Sequence, residues 1–342
     1  MFSEIISLDN LEQAYRNTQI GDSKFKPAAI YFNRDRYELL DELREELYLG
    51  TYTPGKYIEF TVLEPKERLI FAPQYRDKIV QHAINNLLAE HCKRYFIHDS
   101  YACITEKGNR RAVLKIRDNL NNGLLEYGET AYVIKADIVK FFASIDRTIL
   151  KCLLRKIIKC SLLLKLLDLI IDTAPELNGL PLGNLTSQLL ANVYMNVLDH
   201  FCKRILKCKY YVRYADDFFI VCKDHVTASE VLSEIREYCL DELQLHLHNT
   251  KSYIQPIDKP LSALGFMLHP RRIELQRVSK TKINRRIKFY CNSYVEDTRV
   301  VLENRLNGWL NHANLASITN YLNHLIVKYP NLECDGKQFS LV

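Results

Sequence analysis

The sequence predicts an α+β fold in which an antiparallel sheet carries its covering helices on one face. Three observations lead there. The run AYVIKADI (131–138) is β-branched, apolar and ends on an acid. KYYVRYADDFFIVC (209–222) is two aromatic-rich runs meeting at Asp216-Asp217, the pattern of a hairpin. Amphipathic segments fall between and after these runs, so strand, helix, hairpin, helix and strand follow one another along the chain.

The remaining elements can be justified in order. DRYELLDELREELYL (35–49) places apolar residues at helical spacing with charges on the other face, and Gly50 follows it. YIEFTVLEPKERLIFA (57–72) reads as two short strands about a Pro65-Lys66-Glu67 turn, a hairpin with Lys66 and Arg68 near its tip standing between helices. Helical patterns resume at Asp77, at 109–121 behind Gly108, at 147–158 and at 161–172. The loop GLPLGN leads into LTSQLLANVYMNVLDHFCKRI, an apolar-faced stretch without a breaker. A further helix is expected over 227–243, then short strands in SYIQ and ALGFML, then a helical tail from 278 that is strongly basic at its start. Composition shifts near 125 and 270 divide the chain into 1–125, 126–270 and 271–342.

Composition narrows the class of protein. With 342 residues, 47% hydrophobic and 26% charged, the chain can bury one large core or two to three smaller lobes, which excludes disorder and mini-protein scaffolds. Ten cysteines contain no Cys-x-x-Cys pair, and MFSEIISLDN lacks the basic-then-apolar shape of a secretory signal. Reduced thiols in a cytoplasmic protein are the expectation. The longest apolar candidate, CSLLLKLLDLIID, is interrupted by Lys165 and Asp168, so no membrane partner is expected. A net charge of +6 is too mild to establish a nucleic-acid partner. The ten histidines show no ligand spacing, His246 and His248 read as structural, and neither Ser-His-Asp nor P-loop text is present.

The chemistry-bearing residues are acids set among apolar neighbours. By themselves, two aspartates in a hairpin are ordinary turn chemistry. Adjacent carboxylates between Tyr, Phe, Ile and Val also repel one another and resist desolvation, which a cation relieves. Asp137 closes the other strand in a similar setting. If strand and hairpin are neighbours, three carboxylates converge, and oxygen-only ligation of that kind suits magnesium beside a phosphate substrate.

Tyr214-Ala215-Asp216-Asp217 flanked by apolar strands, with Asp137 followed by Phe141-Phe142, closely resembles the palm of reverse transcriptases. Further blocks match in the same order: PKERLIFAP, RDKIVQHAI, DSYAC with Gly108 after it, GLPLGNLTSQLLANVYMNVLD, LHLHNTKSYI and ALGFML. The resemblance covers about 60–310. Within that superfamily LGNLTSQ (182–188) is most similar to the enzymes of diversity-generating retroelements, whose relatives include group II intron, retron and defence-associated reverse transcriptases.

The resemblance implies a right-hand polymerase: an N-terminal segment and fingers over 1–125, a palm with interleaved finger elements over 126–270, and a helical thumb over 271–342. It implies two Mg2+ ions, with Mn2+ as a substitute, held by Asp137, Asp216 and Asp217 with help from the Ile138 carbonyl. Phe142 matches a steric gate against the ribose 2′-hydroxyl. Arg68 and Lys66 would meet the incoming triphosphate, and Lys251 would act as general acid toward the pyrophosphate. Leu182 stands where many relatives carry glutamine, a change that goes with error-prone copying of template adenines in the group it resembles. Gly183 would let backbone approach template or nucleotide closely, with Gln188 ending the block. Arg110, Arg111, Arg277, Lys280, Lys282, Arg285 and Arg286 would track a phosphate backbone.

The partners so implied are an RNA template and primer, deoxynucleoside triphosphates, a structured non-coding RNA and a small basic accessory protein. An antiviral defence-associated enzyme copying a dedicated non-coding RNA would share every one of these residues. A nucleotidyl cyclase would lack the finger hairpin and basic thumb, and a binding-only module would not need three acids.

Overall fold

The computed structural model describes residues 1–63, 67–175, 178–292, 299–316, 318–329, 332–334 and 338–341. At its centre lies a four-stranded antiparallel sheet built from β3 (Tyr132–Ala136), β4 (Tyr210–Tyr214), β5 (Asp217–Cys222) and β6 (Tyr253–Pro256), in the order β4-β5-β3-β6. Ahead of it in the chain, β1 (Ile58–Val62) and β2 (Arg68–Ala72) form a separate hairpin. Downstream, β7 (Leu261–Ala263), β8 (Phe266–Leu268) and β9 (Ile273–Leu275) make a small antiparallel sheet, and β10 (Leu332–Cys334) pairs with β11 (Phe339–Leu341).

Side-chain alternation sends the central strands into two different cores. Ile134, Ala136, Tyr211, Phe218, Ile220 and Cys222 face a large core shared with helices Tyr75–Lys93, Leu185–His200 and His225–Leu243. This is the helical cover the pattern predicts. The opposite face is also closed: Val133, Val212, Phe219 and Val221 share a second core with Ala112, Val113, Ile116 and Leu120 of helix Asn109–Tyr127, a core that continues through β7–β9 to the C-terminal helices. Both faces of the sheet are therefore apolar, which accounts for the near-continuous hydrophobic text of FFIVC.

Helix Arg36–Leu49 stops where Gly50 adopts φ +72°. Helix Arg147–Ile157 is capped by Asp146, whose side chain accepts from the Ile149 amide, and Ser161–Asp172 buries its stripe of Leu163, Leu166, Leu167, Ile170 and Ile171. The apolar stretch after GLPLGN is helical to His200 and then widens into a π-turn over Phe201–Ile205. ALGFML is not one strand: Leu264 and Gly265 take positive φ and fold it into β7 and β8. The N-terminal helices Phe2–Ile5, Leu8–Thr18 and Pro27–Arg34 carry no sequence expectation here; their Ile5, Leu11 and Ala14 pack into the large core. Among the described residues no helix is long and apolar enough to cross a membrane.

Candidate active site

The register of the central sheet places the acids. Ala136 pairs with Phe218, so one step further Asp137 stands opposite Asp217, and both side chains emerge on one face because 133, 135 and 137 share parity across from 221, 219 and 217. On the other flank Lys135 pairs with Tyr253, and the same register extended by two residues sets Lys251 opposite Asp137. A transverse row Lys251, Asp137, Asp217 results, with Asp216 at the adjoining hairpin tip. Lys251 Nζ lies 2.5 Å from Asp137 Oδ2; the lysine side chain is largely in solvent, whereas Asp137 is buried. The Asp137 amide donates to Ser252 Oγ at 3.2 Å, and its carbonyl accepts from the His248 amide at 2.7 Å.

Ile138 forms an antiparallel bridge with Leu247 in which the flanking residues make the hydrogen bonds, Val139 N–H to the His246 carbonyl and His248 N–H to the Asp137 carbonyl. In such a pair the residue's own carbonyl points away from its partner. That direction is toward the β5 side, where Asp216 and Asp217 sit.

Electrostatics at this point are dominated by crowded negative charge. Burial, then the charge of Asp217, then Asp137 push the Asp216 carboxyl up to about 6. Burial and Asp137 also raise Asp217, against the opposing pull of Lys135 and Lys251. The hydrogen bond to Asp137 keeps Lys251 charged. Among the described residues no three His, Cys, Asp or Glu side chains already form a cation cage, the Asp137 carboxylate being turned to Lys251. The donor set nonetheless fits a hard divalent cation: it is oxygen only, half-buried and short of positive charge. A raised carboxyl carries a sign that can be tested. Asp216 ionises at a cost in the folded state, so its contribution favours folding at low pH and fades as pH rises from about 4 to about 6. Asp216→Asn is therefore expected to raise stability in metal-free buffer at pH 7 by on the order of 2 kcal/mol, the gain vanishing near pH 4, as read from denaturation midpoints across pH.

The other sequence-chosen residues fall in three places. Phe141 and Phe142 open a short helix, Phe141–Ser144; Phe141 is 4% exposed and belongs to the core, whereas Phe142 is half-buried with its ring 5.3 Å from that of Phe141. Leu182 is half-buried and its carbonyl accepts from the Phe71 amide at 2.8 Å, tying the loop to β2. The close approach that demands glycine at 183 is made to that same strand: φ is +133°, and a Cβ would stand 2.3 Å from the Phe71 carbonyl oxygen. Gly183→Ala is expected to cost about 2–4 kcal/mol of stability, checked by chemical denaturation. Gln188 is exposed on helix Leu185–His200, and Arg68 is exposed at the start of β2, opposite Val62. Lys66 lies outside the described residues. Arg110 and Arg111 are exposed in the first turn of helix Asn109–Tyr127. In helix Arg277–Asn292, Ile283 and Ile287 face the core while Arg277, Lys282, Arg285 and Arg286 are exposed; Lys280 is half-buried with Nζ 5.7 Å from the Tyr321 ring centroid.

Sequence reasoning missed one constellation. Directly behind the hairpin tip, Arg213 and Asp199 are both 0% exposed and paired through two 2.7 Å hydrogen bonds, Nε to Oδ1 and Nη2 to Oδ2. The Asp199 side also accepts from the Tyr211 hydroxyl at 2.7 Å. The available signal was an arginine and an aspartate each embedded in apolar text, since neither is buried alone without cost.

An antiparallel sheet with a carboxylate-tipped hairpin beside an acid-ending strand, preceded by a hairpin that exposes Arg68 and followed by a strongly basic helix, is the frame of a template-directed nucleic-acid polymerase. Residues 64–268 match the reverse transcriptase (RNA-dependent DNA polymerase) family, and the chain belongs to it. Protein YkfC of Escherichia coli (strain K12) is 25% identical over 278 residues, covering 68% of this chain and 72% of that protein. Apo telomerase from Candida tropicalis matches with a TM-score of 0.50 and 12% identity over 71% of this chain and 53% of that one. Telomerase from Candida albicans, in complex with a fragment of telomeric RNA, aligns at a TM-score of 0.46 and 14% identity over 81% and 55%. The chain spans little more than half the length of these telomerase chains, and the likeness to the Candida tropicalis chain is one of fold.

Proposed function

We propose that this chain is an RNA-directed DNA polymerase that adds deoxynucleotides to a primer 3′-hydroxyl, and that its closest functional class is the error-prone enzyme of a diversity-generating retroelement. The observation that carries the polymerase reading is the row of Asp137 and Asp217 across adjacent strands with Asp216 at the tip. Asp137, Asp216 and Asp217, with the Ile138 carbonyl, would hold two Mg2+ ions. A divalent metal held there would supply positive charge to the attacking hydroxyl and to the triphosphate.

The chain's own residues then divide the remaining work. Arg68 and Lys66 bind the triphosphate from the finger hairpin, and Lys251 stays protonated beside Asp137 as the donor to departing pyrophosphate. Residues 277–286 supply exposed cations for the duplex, joined by Arg110 and Arg111. Phe142 sets its ring where a 2′-hydroxyl would enter. Phe142→Ala is expected to raise ribonucleotide use relative to deoxynucleotide use by about 10–100-fold, read from the ratio of kcat/KM values. Leu182 offers no hydrogen bond to the nascent pair, which supports low fidelity and with LGNLTSQ supports the retroelement class. The fold divides in this reading into fingers to 125, palm to 270 and thumb beyond.

The deciding experiment purifies the chain with its co-expressed RNA, sequences that RNA and supplies labelled deoxynucleotides one at a time. Templated extension with misincorporation concentrated at template adenines is expected. Faithful copying refutes the retroelement class, a protein-primed or untemplated product moves the chain to the defence-associated enzymes, and no incorporation refutes the polymerase reading.

A further inference from the structure

The hairpin that carries Asp216 and Asp217 is held in a conformation its sequence does not favour. Tyr214 pairs with Asp217, so the loop has only two residues, Ala215 and Asp216. Ala215 has φ +55°, at the first loop position of a two-residue hairpin, where glycine is the usual occupant. An alanine there gives up free energy that something must return.

The compensation is visible behind the loop. Arg213 Nη1 donates to the Ala215 carbonyl at 3.0 Å, fixing the peptide plane between Ala215 and Asp216. All five guanidinium N–H groups are used: Nε and one Nη2 hydrogen on Asp199, the other Nη2 hydrogen on Ser100 Oγ at 3.0 Å, and the second Nη1 hydrogen on Asn192 Oδ1 at 3.1 Å. The acceptors come from three parts of the chain. Ser100 belongs to the DSYAC segment, which is itself anchored to β4 through Arg213 N–H to the Asp99 carbonyl and Tyr101 N–H to the Arg213 carbonyl. Asn192 and Asp199 lie two helical turns apart on Leu185–His200, and the Asn192 amide also donates to the Ala102 carbonyl at 2.8 Å. The guanidinium is thus fixed through four of its five N–H groups, leaving the fifth for the loop. Its charge is matched by Asp199, so what it delivers to the loop is direction and not net charge.

We infer that Arg213 is a positioning residue: through its bond to the Ala215 carbonyl it imposes the left-handed turn that aims Asp216 and Asp217, with Ser100, Asn192 and Asp199 setting its own orientation. This rests on the reading of those two aspartates as the catalytic acids. A lysine at 213 would keep the positive charge beside Asp199 but has no planar fork to serve all four partners at once.

The test combines Arg213→Lys, the milder Ser100→Ala, which leaves the ion pair intact, and each of these with Ala215→Gly. Glycine adopts positive φ without penalty, so it should restore the turn when the arginine no longer enforces it. Arg213→Lys is expected to lower kcat about 10–100-fold with the deoxynucleotide KM within about threefold, and Ser100→Ala to lower kcat less. In both, hydrogen exchange of the peptide 210–222 should quicken, and Ala215→Gly should recover kcat at least threefold. The inference is overturned if the folded variants keep wild-type kcat and exchange, or if glycine fails to restore kcat while loss of activity tracks loss of stability. Should Arg213→Lys not fold, Ser100→Ala decides by the same criteria. Full activity in a chain lacking both aspartates overturns the underlying site reading instead, whatever the arginine variants do.

Discussion

Replacing both Asp216 and Asp217 by alanine is expected to lower primer extension on an RNA template by about 10³-fold or more, while affinity for the primer–template stays within about threefold. The separation follows from where the two properties reside. The acids stand at a hairpin tip among buried aromatics, and the exposed cations of residues 277–286 and the Arg110-Arg111 pair lie on other elements. Loss of folding is not the expected reason for inactivity, since Asp216 ionises against burial and two neighbouring carboxylates and its removal relieves that cost. Gel-based extension with filter-binding on the same preparation checks the result. Retained incorporation would remove these residues from the chemistry, and joint loss of incorporation and binding would make them structural.

Asp199→Ala is expected to have the largest effect on stability, about 3–5 kcal/mol, because it strands a guanidinium that is 0% exposed and also removes the acceptor of the Tyr211 hydroxyl. Adding Arg213→Met should recover part of that loss, since an apolar side chain is cheaper at this position than an uncompensated charge. A double-mutant cycle on denaturation midpoints gives the coupling directly. A single-variant loss below about 1 kcal/mol would mean that water reaches the pair, contrary to its burial.

Where one periodicity governs a segment, the chain announces its own structure. The helix expected over 161–172 is the helix Ser161–Asp172, and the break at Asp216-Asp217 is the hairpin tip, because each segment has one apolar stripe or one alternation to satisfy. The convergence of Asp137 with that tip was legible only through the order of motif blocks; no local pattern states that β3 lies next to β5. The role of Arg213 was not legible at all. It depends on four acceptors from positions 100, 192, 199 and 215, whose proximity is a property of tertiary packing. Gly183 shows the same limit: the residue type signals a tight approach, but only the fold says that the neighbour is Phe71. ALGFML misled because its turn, Leu264-Gly265, is flanked by residues as apolar as the strands themselves.

The central sheet is a party wall with an oily room on each side. Cutting the chain back near 270 to obtain a smaller catalytic fragment would remove Ile273, Ile283, Ile287, Leu306 and Leu310 from the room behind Val133, Val212, Phe219 and Val221, so the piece that keeps every acid would open one of its two cores to water.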